Sequence, residues 1–368
     1  MRSFDYLKIR DKKWDLEVLT LIAKIHEYKG KQELYIKQKP MSLEKLVEIA
    51  KVQSTEASNQ IEGIVTTDTR IKQLVNEKTS PRNRDEEEIA GYRDVLNMIH
   101  ESHEYIPIQS NYILQLHKVL YSYSGESFGG KFKNTQNYIT EVRADGTRAV
   151  RFQPLAPYET SQAIHVICES YNQAIAADIE PLLLIPSFIT DFLCIHPFND
   201  GNGRMSRLMT ALLLYKSGFE VGKYISIETK IAKTKLNYYE ALQDIDEGWH
   251  EGDNDVTPFI KYLLGVILAC YRDFENRLEL VEEKKPALEM VRNAVKEQIG
   301  KFTKAQIVEY LPALRRAAVE KALKILVDEG EITRHGGGRS TFYTRYAKDM
   351  GGIQGNKNTL LKIGYDNK

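Results

Sequence analysis

The sequence has few cysteines, no surplus of either charge and no apolar run long enough for a bilayer, and each shortage removes a class of protein. Cys168, Cys194 and Cys270 are the three cysteines among 368 residues, far apart and without a Cys-x-x-Cys pair or zinc-site spacing. A disulfide-stapled scaffold is excluded, and the expectation is three buried thiols in a reducing compartment. Lysine plus arginine number 51, as do aspartate plus glutamate, so no global field draws the chain to nucleic acid or acidic lipid. Such affinity has to be local. The most apolar stretch, Leu182 to Ile195, is interrupted by Ser187, Thr190 and Asp191 and falls short of the roughly 20 residues of a membrane helix. It reads as a core helix. Met1 to Trp14 alternates charged with apolar residues and lacks the pattern of a signal peptide, which gives the expectation of a cytoplasmic protein.

What is present is an ordinary globular composition, 42% apolar and 28% charged, over a length that suits two or three domains. Apolar residues recur three and four apart over Leu16 to Tyr28 and Ser42 to Ile64, as in amphipathic bundle helices. After a polar connection, Asn76 to Glu88, helical periodicity resumes through Ile99, and again over Ile113 to Tyr121. Asn137 to Phe152 changes character: β-branched and aromatic residues flank Asp145-Gly146, the signature of a tight hairpin. Helices then return over Glu159 to Ala177, Leu182 to Ile195, Arg204 to about Lys216, Lys235 to Asp246 and Pro258 to about Lys284, with an acidic loop at Glu247 to Asp255. The fold class is mainly α. The expected division is a helical region over 1–100, a core over 101–285, a third domain over 286–346 that starts at Pro286, and a tail over 347–368 rich in glycine, asparagine and lysine. In the third domain, three helices (Leu288 to Ile299, Lys304 to Tyr310, Leu314 to Asp328) precede two strands (Glu331 to Thr333, Thr341 to Tyr346). That order resembles a winged helix-turn-helix.

The segment from His196 to Arg207, HPFNDGNGRMSR, carries the chemistry. Two glycines at the entry to a helix turn backbone N–H groups toward a concavity that suits phosphate oxygens beside the positive helix end. Arg204 and Arg207, three apart, reach the same side and suit further phosphates. Asp200 is a hard carboxylate beside that cradle, suited to Mg2+. His196 suits a general base, since an unperturbed imidazole titrates close to neutrality.

The segment meets every fixed position of His-x-Phe-x-Asp/Glu-Gly-Asn-Gly-Arg-x-x-Arg, and here the sequence resembles the Fic family of nucleotidyl transferases. The resemblance, which spans about residues 40–285, implies a Fic-type helical core that moves AMP from ATP to a hydroxyl of a target protein or of itself. It makes His196 the base, Asp200 the Mg2+ ligand, and Gly201, Asn202 and Gly203 the anion hole. Arg204 and Arg207 would hold the β- and γ-phosphates, and Phe198 would lie buried under the loop. Upstream, Ser58-Asn59-Gln60-Ile61-Glu62-Gly63 fits the family's inhibitory pattern Ser/Thr-x-x-x-Glu-Gly/Asn, which implies that Glu62 pairs with Arg207 and displaces the γ-phosphate. The hairpin of Tyr138 to Phe152 corresponds to the family's flap, which pins a target segment as an added strand. Asn237-Tyr238-Tyr239 resembles a segment whose second tyrosine contacts adenine, so Tyr239 is a nucleotide-binding candidate, although Asp246 stands where some relatives have asparagine.

The third domain carries 11 basic against 7 acidic residues from Pro286 to Tyr346, compatible with phosphate contact through Arg315, Arg316, Arg334 and Arg339 and equally with protein docking. Beside the autoinhibited AMP-transferase stand two other readings. One is an enzyme that removes AMP with a water oriented by Glu62, and the other is a DNA-binding regulator whose core senses nucleotide. No membrane association is expected, and the oligomeric state stays open.

Overall fold

The computed structural model describes residues 2–38, 40–142, 147–282, 287–298, 300–312 and 314–345. The chain forms two compact units, Met1–Glu282 and Glu283–Lys368. The Asp145-Gly146 turn, the boundary residue Pro286 and the tail from Ala347 lie outside the described residues.

The first unit opens with a single 3-10 turn, Tyr6–Arg10, and the long helices α1 (Leu16–Gln38) and α2 (Pro40–Ile61). α2 ends where Gly63 takes a positive φ of 82°, which lets Gly63 N–H reach Gln60 O and Ile64 N–H reach Asn59 O. This is the Schellman closure, and it places Glu62 at the C-cap. A short helix that the periodicity did not announce, α3 (Asp68–Asn76), is capped by Thr67 and followed by α4 (Arg84–Ser102). Asn83 starts α4 by accepting from Glu86 N–H, so the polar connection is shorter than expected. Then come α5 (Ser110–Leu120), strands β1 (Ile139–Val142) and β2 (Arg148–Phe152), and helices α6 (Pro157–Ala176), α7 (Pro181–Ile195), α8 (Asn202–Lys216), α9 (Ile227–Lys233), α10 (Lys235–Asp244) and α11 (Thr257–Glu282).

α7 is buried from Leu182 to Ile195, because its apolar residues run all round the helix and every face finds a partner. α8 packs against it and is buried from Arg204 to Tyr215. Around this central pair α6 covers α7, α4 covers α8, α1 lies along α11, and α2 packs on α4 and α9. No helix among the described residues is long and apolar enough to cross a membrane. The acidic stretch Glu247 to Asp255 is not wholly a surface loop, since Trp249 is fully buried and its Nε1–H donates to Asp191 of α7 at 2.8 Å.

β1 and β2 pair antiparallel with Ile139 opposite Phe152 and Thr140 opposite Val150, which leaves Arg151 as the extra residue of a bulge. The bulge re-aims its side chain. The second unit contains α12 (Ala287–Lys296), β3 (Lys301–Phe302), α13 (Lys304–Tyr310), α14 (Arg316–Asp328), β4 (Ile332–His335) and β5 (Phe342–Arg345). Its sheet has the order β3-β5-β4, antiparallel throughout, so a short strand that alternation alone did not reveal joins the expected two. Thr303 caps α13 through a reciprocal bond with Gln306.

Candidate active site

The turn between α7 and α8 opens onto a cavity of about 770 Å3. It is walled by Glu62 and Ile64 after α2, Glu88 of α4, Ile139, Thr140 and Arg151 of the hairpin, and Tyr238, Tyr239, Leu242 and Asp246 of α10 and its exit. The His196–Arg207 segment forms the floor.

His196 ends α7 in the left-handed region, φ 50°, with its N–H donating to Phe192 O. Its Nδ1 lies 3.1 Å from Leu193 O. A carbonyl only accepts, so Nδ1 carries the hydrogen and Nε2 keeps its lone pair. Burial pushes the imidazole down to about 4, and the neighbouring Lys133 adds to that, so the ring is neutral at physiological pH.

Phe198 is fully buried and stacks on His117 at 3.7 Å between centroids. His117 Nδ1 accepts from Gly130 N–H, which leaves Nε2–H to donate to Asp200 O at 3.1 Å. Asn202 closes the turn from the other side, accepting from Phe198 N–H at 2.9 Å and donating to Phe198 O at 2.8 Å. Its side chain is therefore a loop brace, and what it offers the cavity is its backbone. Asn202, Gly203 and Arg204 occupy the first turn of α8, where N–H groups have no intrahelical acceptor and the helix dipole is positive. Gly201 caps the helix at φ 82°, and a Cβ there would meet the Tyr121 hydroxyl at 2.9 Å. At Gly203 a Cβ would come within 2.2 Å of Glu62 Oε1, so glycine is what allows Glu62 to lie across the helix start.

The two arginines have different surroundings. Arg204 is drawn inward: Nη1 lies 2.7 Å from Glu88, Nη2 donates to the Tyr121 hydroxyl, and Asp200 Oδ2 is 3.9 Å away. Arg207 Nε donates to Ser58 Oγ at 2.8 Å, and Nη2 donates to Ser58 O at 2.9 Å and to Glu62 Oε1 at 2.7 Å. Arg207 is buried while 34% of the Glu62 side chain remains open. Lys235 of α10 donates to Ile61 O at 2.8 Å, fastening the end of α2, and its ammonium lies over the Tyr239 ring. Tyr239 is more than one-third exposed toward the cavity and Tyr238 is buried beside it. Across the mouth, Arg151 in its bulge pairs with Asp246 at 2.8 Å; burial raises that carboxyl above its ordinary value and Arg151 opposes the rise.

The structure thus brings His196, Asp200, Gly201, Asn202, Gly203, Arg204, Arg207, Glu62 and Tyr239 to one cavity, with Ser58 behind Arg207 and Gly63 at the turn that aims Glu62. Reading the sequence did not single out Glu88, His117, Tyr121, Lys133, Asn137 or Arg151. They come from α4, α5 and the hairpin region, without a spacing signal to tie them to the motif. Asp200 has a half-open side chain on the cavity rim, with Oδ1 accepting from Gly201 N–H at 2.7 Å. A half-open oxygen donor on the cavity rim fits a hard cation that takes its remaining ligands from other oxygen donors.

Residues 107–214 match the model of the Fic/DOC family. The protein adenylyltransferase fic-1 of Caenorhabditis elegans is 25% identical over 167 residues, 45% of this chain and 28% of that protein. The protein adenylyltransferase Fic of Nematostella vectensis is 22% identical over 213 residues, 56% and 44%. The chain thus spans less than half the length of these curated relatives. A crystal structure of a Fic family protein from Desulfovibrio desulfuricans superposes with a TM-score of 0.58 at 17% identity, over 92% of this chain and 98% of that one, a likeness of fold.

Proposed function

We propose that this chain, a member of the Fic family, moves AMP from ATP to a hydroxyl side chain of a protein, itself included, and that Glu62 restrains the reaction. The observation that carries the reading is a neutral imidazole with Nδ1 occupied and Nε2 free, on the same cavity as the open first turn of α8. In the reaction the hydroxyl oxygen of the target bonds to the α-phosphorus, its proton passes to Nε2 of His196, and the bond from the α-phosphorus to the β-phosphate oxygen breaks, releasing pyrophosphate. The N–H groups of Asn202 and Gly203 would hold phosphate oxygens, and Arg207 would hold the γ-phosphate. Arg204, gripped by Glu88 and Tyr121, would present fixed positive charge without reorganising. Tyr239 would stack on the base. Asp200 would hold a magnesium ion, which when bound neutralises phosphate charge. The edge of β1 away from β2 would receive the acceptor segment.

While Glu62 occupies Arg207, the γ-phosphate has no partner there, and ATP is held with its α-phosphate out of line with the incoming hydroxyl. Glu62 also favours a second reading: its partly open carboxylate, aimed into the cavity, is suited to orient a water for removal of AMP from a modified protein. Residues 287–345 we read as a winged-helix module that docks targets. The deciding experiment is incubation of the wild type, Glu62→Gly and Glu62→Gly/His196→Ala with ATP labelled in the α-phosphate, alone and in lysate. The reading requires label on protein from Glu62→Gly and none from the double variant. Loss of AMP from a premodified protein by wild type and not by Glu62→Gly would favour removal.

A further inference from the structure

The backbone around His196 is held by two residues outside the motif. Lys133 is 3% exposed. Its ammonium donates to Ile195 O at 3.0 Å and to Asn137 Oδ1 at 2.9 Å, and its backbone N–H donates to Pro197 O at 2.8 Å. Asn137 Nδ2 donates to His196 O at 3.1 Å and to Phe198 O at 3.0 Å. Four consecutive carbonyls, 195 to 198, thus accept from two residues of the segment before β1. These carbonyls run from the last residue of α7 into the turn, where no intrahelical donor remains, and they include that of His196, a left-handed non-glycine residue that its surroundings must hold in place. A buried ammonium at the negative end of a helix is favourably placed.

We propose that Lys133 and Asn137 are positioning residues for His196: both fix the turn that aims the imidazole, and Lys133 also sets a buried positive charge near the ring. The proposal rests on the AMP-transfer reading for its consequence in rate, and on the contacts alone for its consequence at the imidazole. Lys133 lowers the proton affinity of His196, burial being the larger cause. Other charged groups around the ring are Glu62 after α2, which raises it, and Arg151 of β2, which lowers it; Asp200, Arg207 and Asp246 share the cavity. Burial pushes the Lys133 ammonium itself down to about 8, so it stays charged below that pH.

The test uses the full chain carrying Glu62→Gly, with labelled histidine followed by NMR from pH 3 to 8 and the His196 signal identified by its loss in His196→Ala. Lys133→Gln, which keeps a donor and loses the charge, should raise the His196 midpoint by half a unit or more and lower AMP transfer at least tenfold, with ATP affinity within twofold. Lys133→Arg should restore the midpoint. Asn137→Ala should lower the rate at least tenfold without raising the midpoint. The proposal is overturned if the midpoint stays put in a folded Lys133→Gln protein, or if transfer is unchanged in both variants. If Lys133→Gln does not fold, an unchanged rate in Asn137→Ala or a raised midpoint in Lys133→Arg overturns it equally. Absence of AMP transfer in the Glu62→Gly parent would refute the functional reading and leave the midpoint comparison standing as the test of this one.

Discussion

Replacing Glu62 with glycine should release the enzyme, and the structure sets how much. The carboxylate makes one short charge-assisted bond to Arg207, a class that contributes about 1.5–3 kcal/mol. About a third of the Glu62 side chain is open to solvent, which weakens the ion pair toward the lower part of that range. Arg207 does not collapse when the carboxylate goes, because Ser58 still holds Nε through its hydroxyl and Nη2 through its carbonyl. The guanidinium is therefore left in place and free for the γ-phosphate. A coupling of about 1.5–2.5 kcal/mol corresponds to roughly a 10- to 70-fold rise in rate. Glycine at the C-cap, beside Gly63, also loosens the end of α2 by up to about 1 kcal/mol, in the same direction. The assay is the initial rate of α-labelled AMP incorporation at equal ATP occupancy, with Glu62→Gln as the variant that keeps the shape and removes the charge. A folded Glu62→Gly protein no faster than wild type would show that Glu62 does not restrain transfer and reduce the Ser58–Gly63 match to a helix terminus.

Lys235→Met should raise transfer a few-fold, because Lys235 fastens Ile61 O at the end of α2, and it should add nothing further in the Glu62→Gly background; additive effects would separate it from inhibition. Transfer by Glu62→Gly should show no loss attributable to His196 as pH falls from 8 to 6, since the neutral imidazole is lost only as pH falls through about 4; half-loss near 6.5 in the rate profile would contradict this. Arg70 holds the buried Glu86 carboxyl down at about 2, so this pair contributes stability that is complete above about 4.5 and lost as pH falls toward 2. Glu86→Gln should then lower Tm at pH 7 and flatten the acid limb of Tm against pH. Chain truncated after Lys285 should fold and still modify itself in the Glu62→Gly background, since Met1–Glu282 is one compact unit; a folded but inactive truncation would place the second unit in the active site.

The motif turn was readable from sequence because its constraints are local: a helix end, two glycines and two arginines three apart act within twelve residues. The helices flanking it were equally plain, since apolar residues dominate Leu182 to Ile195 of α7 and Leu208 to Tyr215 of α8. What surrounds the motif was not. Glu88 meets Arg204 across 116 positions and Lys133 meets Ile195 across 62, and no periodicity links such pairs. The bulge at Arg151 leaves no mark in composition, and the buried Trp249 lies in a stretch whose charge argued for solvent. The short helix α3 and strand β3 fall below the length at which periodicity speaks.

Everything proposed for the cavity turns on transfer of AMP in which His196 takes the proton of the acceptor. It is tested most directly by parallel incubations of Glu62→Gly with ATP labelled in the α-phosphate and with ATP labelled in the γ-phosphate, followed by mass spectrometry of the labelled protein, with His196→Ala in the same background and ATP binding measured for both. AMP transfer through His196 requires α-label covalently on a Tyr, Ser or Thr hydroxyl, no γ-label, and loss of the α-label in the His196→Ala protein with ATP still bound. Incorporation of γ-label, or α-label undiminished without His196, would contradict it.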